Sequence, residues 1–304
     1  MSGNIINSSS FAKALWPGVN AWFGQAYSQY PEEWSKLFEK YTSQKAFEED
    51  VGVSTFGLAA VKGEGAPIQM DAQRQSFITR YPHVVYALGF AITQEMYEDD
   101  QYGVAAKKGA QALAFSMKQT KEIIGANVFN RGFNSSYAGG DGAAMISTSH
   151  PNWVGGTWSN RLSVDSDLSE AALEQACIDI AGFTDDRGKL IAVRPKKLVI
   201  ARQNMFEAQR ILGSDGRVGT ELNDINAIKS MGMIPEIVTN HYLTDADAWF
   251  IITDAPDGLK YFERKAMTFG TDNDSSTKNA IFTAQERYSF GFTDPRAVYG
   301  SPGA

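Results

Sequence analysis

The chain has 304 residues, of which 43% are hydrophobic and 21% charged, and this composition is typical of a globular protein with a sizeable core. The formal net charge of -7 argues against a protein that grips nucleic acid, because such proteins usually carry a basic surface. The single cysteine, Cys177, excludes an internal disulfide, and neither a signal peptide nor an apolar run long enough for a membrane span is visible. We therefore expect a soluble protein made in a cytosol.

Residues 10–41 are unusually aromatic and are interrupted by proline and glycine. We expect an irregular arm whose aromatic side chains, among them Trp16, Trp22 and Phe23, dock on a larger body, either the chain's own or a neighbour's. Only the end of the region, PEEWSKLFEKY, has apolar residues at helical spacing. Pro31, its first residue, is typical of a helix start, so we predict a helix there.

The segment from Val53 to Tyr81 predicts a hairpin around a Gly-Glu-Gly turn. Its outgoing arm is VSTFGLAAVK, and its return arm runs through QRQSFITRY with a period of two. Because an isolated pair of strands is marginal in water, we expect the hairpin to lie against another surface. The apolar side chains that would make this contact are Phe56, Leu58, Val61, Ile68, Met70 and Phe77.

A strand, HVVYALGFAIT, and a long helix over about 100–131 are predicted next, the helix with frequent alanine and glycine. A polar, glycine-rich passage precedes a second helix, where Asp167 and Glu170 have the spacing of a capping box and Cys177 is expected to be buried. The remainder alternates strand and helix with short connections, which indicates an α+β fold. The predicted strands and helix are LIAV, KKLVIA, QNMFEAQRIL (helix), PEIVTN and AWFIITD.

A second hairpin, GLKYFERKAMTF and AIFTAQERYSFGF, closes the chain around a polar turn. We expect this turn, with Asp272, Asn273 and Asp274, to face solvent or a partner. Its acids do not have the spacing of an EF-hand calcium site.

The sequence offers almost no candidate catalytic, metal-binding or cofactor-binding residues. A hydrolase that uses Ser147 or Ser149 with His150 is the best enzymatic alternative, but the sequence signals neither an orienting acid nor a strained nucleophile turn. No zinc spacing and no phosphate loop is present, so we predict no catalytic, metal or cofactor residues. The arm, the hairpin and the long helix each expose more surface than one subunit can bury, which indicates self-association or another partner.

Three stretches carry a resemblance to a known family: DGAAMISTSHPNWVGG with SNRLS and DLSEAALEQA; RPKKLVIARQNMFEAQRIL; and NHYLTDADAWFIITD with GLKYFER and ERYSFGFTDPRAVYGS. In this order they resemble the major capsid proteins of tailed bacteriophages, with the HK97-like fold, and most closely the Mu-like head subunits. The resemblance implies an N-terminal arm (1–50), an extended E-loop (51–92), a peripheral domain with a long spine helix (93–180 and 256–292) and an axial domain (181–255 and 293–304).

The resemblance also implies a function: self-assembly into hexamers and pentamers of an icosahedral shell that encloses phage double-stranded DNA without sequence-specific contacts. The hairpin would then lie across the adjacent subunit. Scaffolding protein, portal and a decoration protein are the implied partners, with the virion as location and the bacterial cytoplasm as the place of assembly. Because the aromatic arm follows Met1 almost at once, we expect scaffolding from a separate protein or an already mature chain.

Two alternatives stay open at this point. One is a non-viral, encapsulin-like compartment of the same fold, and the other is the hydrolase. Some members of the family cross-link a lysine of the E-loop to an asparagine, and Lys62 and Asn279 are the residues that would do so here, although any exposed loop can carry a lysine.

Overall fold

The computed structural model describes residues 9–93, 95–96, 102–152, 154–216, 224–274 and 279–304; the side chains of 9–18, 102–104 and 273 lie outside this description. Five helices are described, and none of the helices in the described part is long and apolar enough to cross a membrane. They are α1 Ser9–Gln29, α2 Tyr102–Asn130, α3 Glu170–Ala181, α4 Met205–Gly213 and α5 Ala227–Met231.

The strands form two four-stranded sheets and two separate pairs. In chain order they are β1 Glu39–Thr42, β2 Phe47–Val53, β3 Gln75–Pro82, β4 Val84–Ile92, β5 His150–Pro151, β6 Thr157–Trp158, β7 Pro195–Ala201, β8 Glu236–Asn240, β9 Trp249–Thr253, β10 Leu259–Asn273, β11 Ala280–Phe292 and β12 Val298–Ser301. We call β1-β10-β11-β4 the hairpin sheet and β12-β9-β7-β8 the short-strand sheet. The remaining pairs are β2-β3 and β5-β6.

The hairpin sheet is built on the long antiparallel pair β10 and β11, which confirms the predicted C-terminal hairpin. Two register shifts in β10, between Glu263 and Thr268, insert extra residues where the ribbon bends. The α2 helix, at 29 residues, is about 43 Å long and packs along this sheet, as predicted for the long helix. Gly109 makes the close approach possible, since a Cβ there would lie 2.7 Å from the Phe90 ring.

The short-strand sheet has a fully buried centre. Every residue of β9, Trp249–Thr253, is buried, as expected for a central strand covered on both faces. The α3 helix covers one face through Leu173, Ala176 and Ile180. Cys177 belongs to the same cluster, and burial raises the pKa of its thiol to about 11, so the thiol stays protonated at neutral pH.

The prediction for the N-terminal region is wrong in its secondary structure. Residues 9–29, expected to be irregular, form the helix α1, and Val19, Phe23 and Ala26 face α2 at helical spacing. The predicted helix after Pro31 is a single 3-10 turn at Trp34–Lys36 followed by β1. Parallel pairing of β1 with β10 takes precedence over the apolar spacing there, while Trp34 still fills the core beside Tyr261.

Two smaller predictions are also wrong. LIAV does not pair as a strand; Leu190 makes only an isolated bridge to Thr184. The α3 helix is capped by Ser169, whose side chain accepts from the Ala172 N–H, two residues after the predicted cap Asp167.

Candidate assembly surfaces

The predicted hairpin exists, but its strands lie closer to its base than the sequence indicated. The strands β2 and β3 form the stem, and the stem ends where the Ser54 N–H donates to the Arg74 carbonyl at 2.8 Å. Beyond it, residues 54–74, which we call the projecting loop, contain no paired strand and turn where the Ala66 N–H donates to the Gly63 carbonyl. Apart from Val53, the last residue of β2, the predicted arm VSTFGLAAVK is therefore not a strand.

The projecting loop exposes most of the apolar side chains predicted for contact. The exposed fractions are 50% for Phe56, 83% for Leu58, 101% for Val61, 69% for Ile68 and 87% for Met70. Phe77 differs, because it lies half-buried in β3 of the stem. The described part of the chain leaves these five side chains at least half exposed, and their burial against another surface is favourable by the hydrophobic effect.

The base of the loop is fastened to the turn at 185–189. Arg187 donates to Asp71 at 2.6 Å and to the Ala72 carbonyl at 3.0 Å. Asp185 accepts from the Thr55 hydroxyl, and Lys189 donates to the Phe56 carbonyl. These bonds fix the direction in which the loop leaves the body.

Two carboxylates of this fastening have depressed pKa values. The Gly57 N–H and then Arg187 lower the pKa of Asp71 to about 2. Burial alone would raise the pKa of Asp185, but hydrogen bonds from Thr55 and from the backbone of Lys189 outweigh it and lower the pKa to about 2. Both groups are therefore anionic across the physiological range.

The aromatic arm docks on its own subunit. Phe23 is 4% exposed and stacks on Phe269 with 4.9 Å between the ring centroids. Tyr27 accepts a hydrogen bond from Lys121 of α2 at 3.0 Å, and Trp22 is half-buried at the same cluster. The side chain of Trp16 lies outside the described residues. Contact of the arm with a neighbouring copy stays a prediction.

A buried ion pair lies under the arm and joins α2 to the hairpin sheet. Lys121 Nζ is 2.5 Å from Glu286 Oε2, and the two side chains are 7% and 1% exposed. Burial alone would lower the pKa of Lys121, but Glu286 and the neighbouring tyrosines raise it, so the amine stays charged; burial raises the pKa of Glu286, and Lys121 opposes that shift. The second Glu286 oxygen has no hydrogen-bond partner among the described residues, so Lys121 is the cation that compensates this buried side chain there.

The polar turn of the C-terminal hairpin is only partly described. Asp272 is exposed and Asp274 is half-buried, while the side chain of Asn273 and residues 275–278 lie outside the described part. The backbone joins across the turn where the Asp274 N–H donates to the Asn279 carbonyl at 3.1 Å. A partner contact at this turn stays a prediction, as does the cross-link between Lys62 and Asn279.

The geometry around His150 does not favour a hydrolase site that uses Ser147 or Ser149. His150 is fully buried and its ring nitrogens face Asp141 Oδ2 at 2.6 Å and Asn160 Oδ1 at 3.0 Å, not a serine hydroxyl. The Ser147 hydroxyl instead accepts from the Ser149 N–H. Asp141 does orient the histidine, a feature that the sequence reasoning missed because the pair is brought together by a turn of glycines. Without a serine on the other nitrogen, the ring has no nucleophile to activate.

The residues that fasten the loop were also missed. Residues 185–189 have the sequence DDRGK, and nothing in it indicates that Asp185, Arg187 and Lys189 meet a segment more than 110 residues earlier. The alternation of charge in this turn was the only available signal.

Comparison with known proteins identifies the architecture. The model of the phage capsid protein family matches residues 78–301. The virus-like particle from Pyrococcus furiosus superposes with a TM-score of 0.55 at 12% identity, over 94% of this chain and 98% of that one. The procapsid protein of bacteriophage JBD30 superposes with a TM-score of 0.55 at 13% identity, over 96% of this chain and 75% of that one. The capsid protein of the native GTA particle superposes with a TM-score of 0.54 at 12% identity, over 90% of each chain.

No curated protein sequence matches the chain significantly. The family match covers most of the chain, and the superpositions on the two phage-type particles extend over 90% or more of it. The particular similarity to Mu-like head subunits stays a prediction. The chain has the HK97-like capsid fold and belongs to the phage capsid protein family.

Proposed function

We propose that the chain is the major capsid subunit of a tailed phage, and that it assembles through hexamers and pentamers into an icosahedral shell around double-stranded DNA. The observation that carries the proposal is the projecting loop, whose apolar side chains are exposed while its base is fastened rigidly to the body. Such apolar side chains gain free energy when another surface covers them, and in the proposed shell that surface belongs to a second copy. Membership of the phage capsid family supports the same role.

In the proposed shell, each loop lies across the next subunit of the capsomer. One surface of each copy then contacts a different surface of the next, and such head-to-tail contacts close into rings when the rotation permits. The loop backbone beyond Ser54 and Arg74 pairs with no strand in the described part of the chain, so main-chain hydrogen bonds to the neighbour can add to apolar burial.

We propose the domain assignment on the same basis. The hairpin sheet with α2 is the peripheral domain, and the short-strand sheet is the axial domain that gathers round the capsomer centre. The inclusion of β12 in the short-strand sheet supports placing residues 293–304 with the axial domain. The role is structural rather than enzymatic. Scaffolding protein, portal and a decoration protein remain proposed partners, with the virion as location and the host cytoplasm as place of assembly.

The compartment shell is the second candidate. The similarity to the virus-like particle from Pyrococcus furiosus, at 12% identity and a TM-score of 0.55, is a likeness of fold that a shell other than a phage head also accommodates. The phage capsid family match supports the first candidate. The content of native particles separates the two, since a phage head holds genomic DNA and a compartment holds protein cargo.

The test of the loop is its removal. Residues 55–73 are replaced by a short Gly-Ser turn that joins Ser54 to Arg74, which are already bonded to each other at 2.8 Å and at 2.9 Å. Closing so short a gap costs little loop entropy. We expect a folded protein, with a circular dichroism spectrum close to that of the parent, that forms no regular shells in electron micrographs.

The matched control is Arg187→Ala, which keeps the loop and removes only the Arg187 bonds of its fastening, those to Asp71 and to the Ala72 carbonyl. We expect this variant to form shells less efficiently than the parent but more than the shortened chain. Regular shells from the shortened chain would show that the loop is not the contact between subunits. Unfolding of the shortened chain would place the loop in the subunit's own core.

A further inference from the structure

The strand β4 leaves one long edge of the hairpin sheet open. It is the last strand in the order β1-β10-β11-β4, and it pairs with β11 along all nine of its residues, Val84–Ile92, without a register shift. In an antiparallel pair, alternate residues direct their N–H and C=O groups away from the partner strand. Along the other edge of β4, these groups meet no strand in the described part of the chain.

This edge lacks the features that usually prevent another strand from adding to a sheet. Natural proteins protect such edges with charged residues, proline or bulges. The sequence of β4, VVYALGFAI, contains no charged residue and no proline, and its pairing with β11 contains no bulge. Val84, Val85 and Leu88 are 48–55% exposed, so apolar surface accompanies the open backbone. Such an edge suits a segment whose own main chain is unpaired.

The projecting loop contains a segment of this kind. Residues 58–62 have the sequence LAAVK, and all five are exposed. The Gly57 N–H before them donates to Asp71, and the Gly63 carbonyl after them accepts from the Ala66 N–H. Between these two bonds, no hydrogen bond among the described residues involves the main chain of 58–62. The segment contains no proline, so all five of its N–H groups can donate.

Within one subunit, this segment and β4 are kept apart. The stem strand β3 has eight residues, which at about 3.3 Å each separate the base of the loop from β4 by about 26 Å. Lys62 lies eight residues beyond Ser54, so even a fully extended chain carries it no further than about 28 Å from the base. The bonds of Arg187 and Lys189 also hold the base at the turn 185–189. The segment therefore cannot lie along the β4 of its own subunit.

We propose that the open edge of β4 receives residues 58–62 of the projecting loop of a second copy, which add to the hairpin sheet as a fifth strand. The inference rests on the proposed contact between copies and names the surface that the loop covers. Main-chain hydrogen bonds hold the added segment, and its side chains lie alternately on the two faces of the sheet. Because the loop and the edge are different surfaces of the subunit, the contact is head-to-tail and can repeat around a ring.

Cysteine pairs test the proposal in assembled shells. One cysteine replaces a residue of 58–61, and the second replaces, in turn, each exposed residue of β4 other than Gly89: Val84, Val85, Ala87, Leu88 and Ala91. Gly89 is left unchanged because a Cβ there would lie 2.7 Å from the Phe282 carbonyl oxygen. The native Cys177 is buried. The shells are oxidised, and denaturing gels without reductant then show the covalent oligomers.

A disulfide needs Cα atoms about 4.4–6.8 Å apart, so strand addition restricts which pairs can form. We expect covalent oligomers, with a period of two along both segments, because only cysteines on the same face of the sheet meet. The matched control combines the same loop cysteines with Val164→Cys, which lies outside β4 and is 75% exposed in the parent, and we expect no covalent oligomers from it.

The other outcomes contradict the inference in distinguishable ways. Covalent dimers from a variant with a cysteine in β4 alone would show that two β4 edges pair with each other. Disulfides that leave every chain at monomer mass would place the contact within one subunit. Regular shells in which no combination cross-links would overturn the inference and leave the proposed function standing, whereas a parent protein that forms no shells would refute both.

A second pair of variants tests the main-chain bonds without cysteine. Ala59→Pro and Ala60→Pro each remove one N–H, and in an added strand these two N–H groups point to opposite edges. Both positions are exposed, so neither change disturbs packing within the subunit. We expect one variant to lose its shells and the other to keep them. Equal shell yields from the two variants would overturn the inference.

Discussion

The projecting loop offers a substitution that separates assembly from folding. Leu58, Val61, Ile68 and Met70 are changed together to serine. They are 69–101% exposed, so the change removes almost no buried area within the subunit. Surface changes of this kind usually alter the free energy of unfolding by less than about 0.5 kcal/mol each. Urea unfolding of the isolated subunit is therefore expected to stay close to that of the parent.

The four substitutions are expected to weaken the association between subunits. Full burial of a large apolar side chain is worth about 1.5–3 kcal/mol, so four of them contribute about 6–12 kcal/mol per loop as an upper bound. Even a third of that value, about 2–4 kcal/mol, shifts an association constant by about 30-fold to 700-fold, since each 1.4 kcal/mol is a factor of ten. We expect the variant to sediment as free subunits or capsomers at concentrations at which the parent forms shells.

The control carries four serines at equally exposed apolar positions outside the loop, namely Val154, Val164, Ile178 and Leu190, which are 65–75% exposed. We expect this protein to assemble. If the control fails as completely as the loop variant, general loss of apolar surface explains the effect. Shells of normal size and yield from the loop variant would refute the reasoning, because the loop would then contribute no contact energy.

Two further predictions concern the body of the subunit. Lys121→Met leaves Glu286 buried without its partner, and such a loss costs about 3–5 kcal/mol in the free energy of unfolding; a urea midpoint unchanged from the parent would contradict this. The second prediction is that the fastening of the loop weakens in acid. Asp71 and Asp185 have folded-state pKa values of about 2, below the ordinary aspartate value of about 3.9. The stability that these two carboxylates contribute is therefore fully present above about pH 3.9 and is lost as the pH falls towards 2. Pepsin cleavage of the loop is expected to accelerate over that range in the parent, while Arg187→Ala is cleaved quickly throughout.

Much of the fold could be predicted because its elements carry strong local patterns. The strands β4, β7, β9, β10 and β11 and the helices α2 and α3 were all placed from apolar periodicity and chain length. The exposed apolar residues of the loop were also recognised, because a stretch rich in such side chains and without a third strand has nothing beside it in sequence to cover it.

The errors occurred where tertiary packing takes precedence over local signals. The arm was expected to be irregular because of Pro17 and Gly18, yet α1 continues through both and presents Phe23 to α2. The segment after Pro31 has helical spacing but becomes β1, since pairing with β10 satisfies its backbone and buries Trp34 nearby. Intrinsic helix propensity has only a weak influence compared with tertiary contacts of this kind.

The sequence by itself therefore determined the class of fold, the long helix, the two hairpins and the apolar character of the loop. Only the tertiary structure decided how the loop is aimed and what lies beneath it. Arg187 meets Asp71 across 116 positions, and His150 is held between Asp141 and the carbonyls around Asn160 by backbone turns. Local patterns report which face of an element is apolar, but ion pairs and hydrogen bonds between distant segments depend on the complete fold, because a few ångströms of displacement remove them.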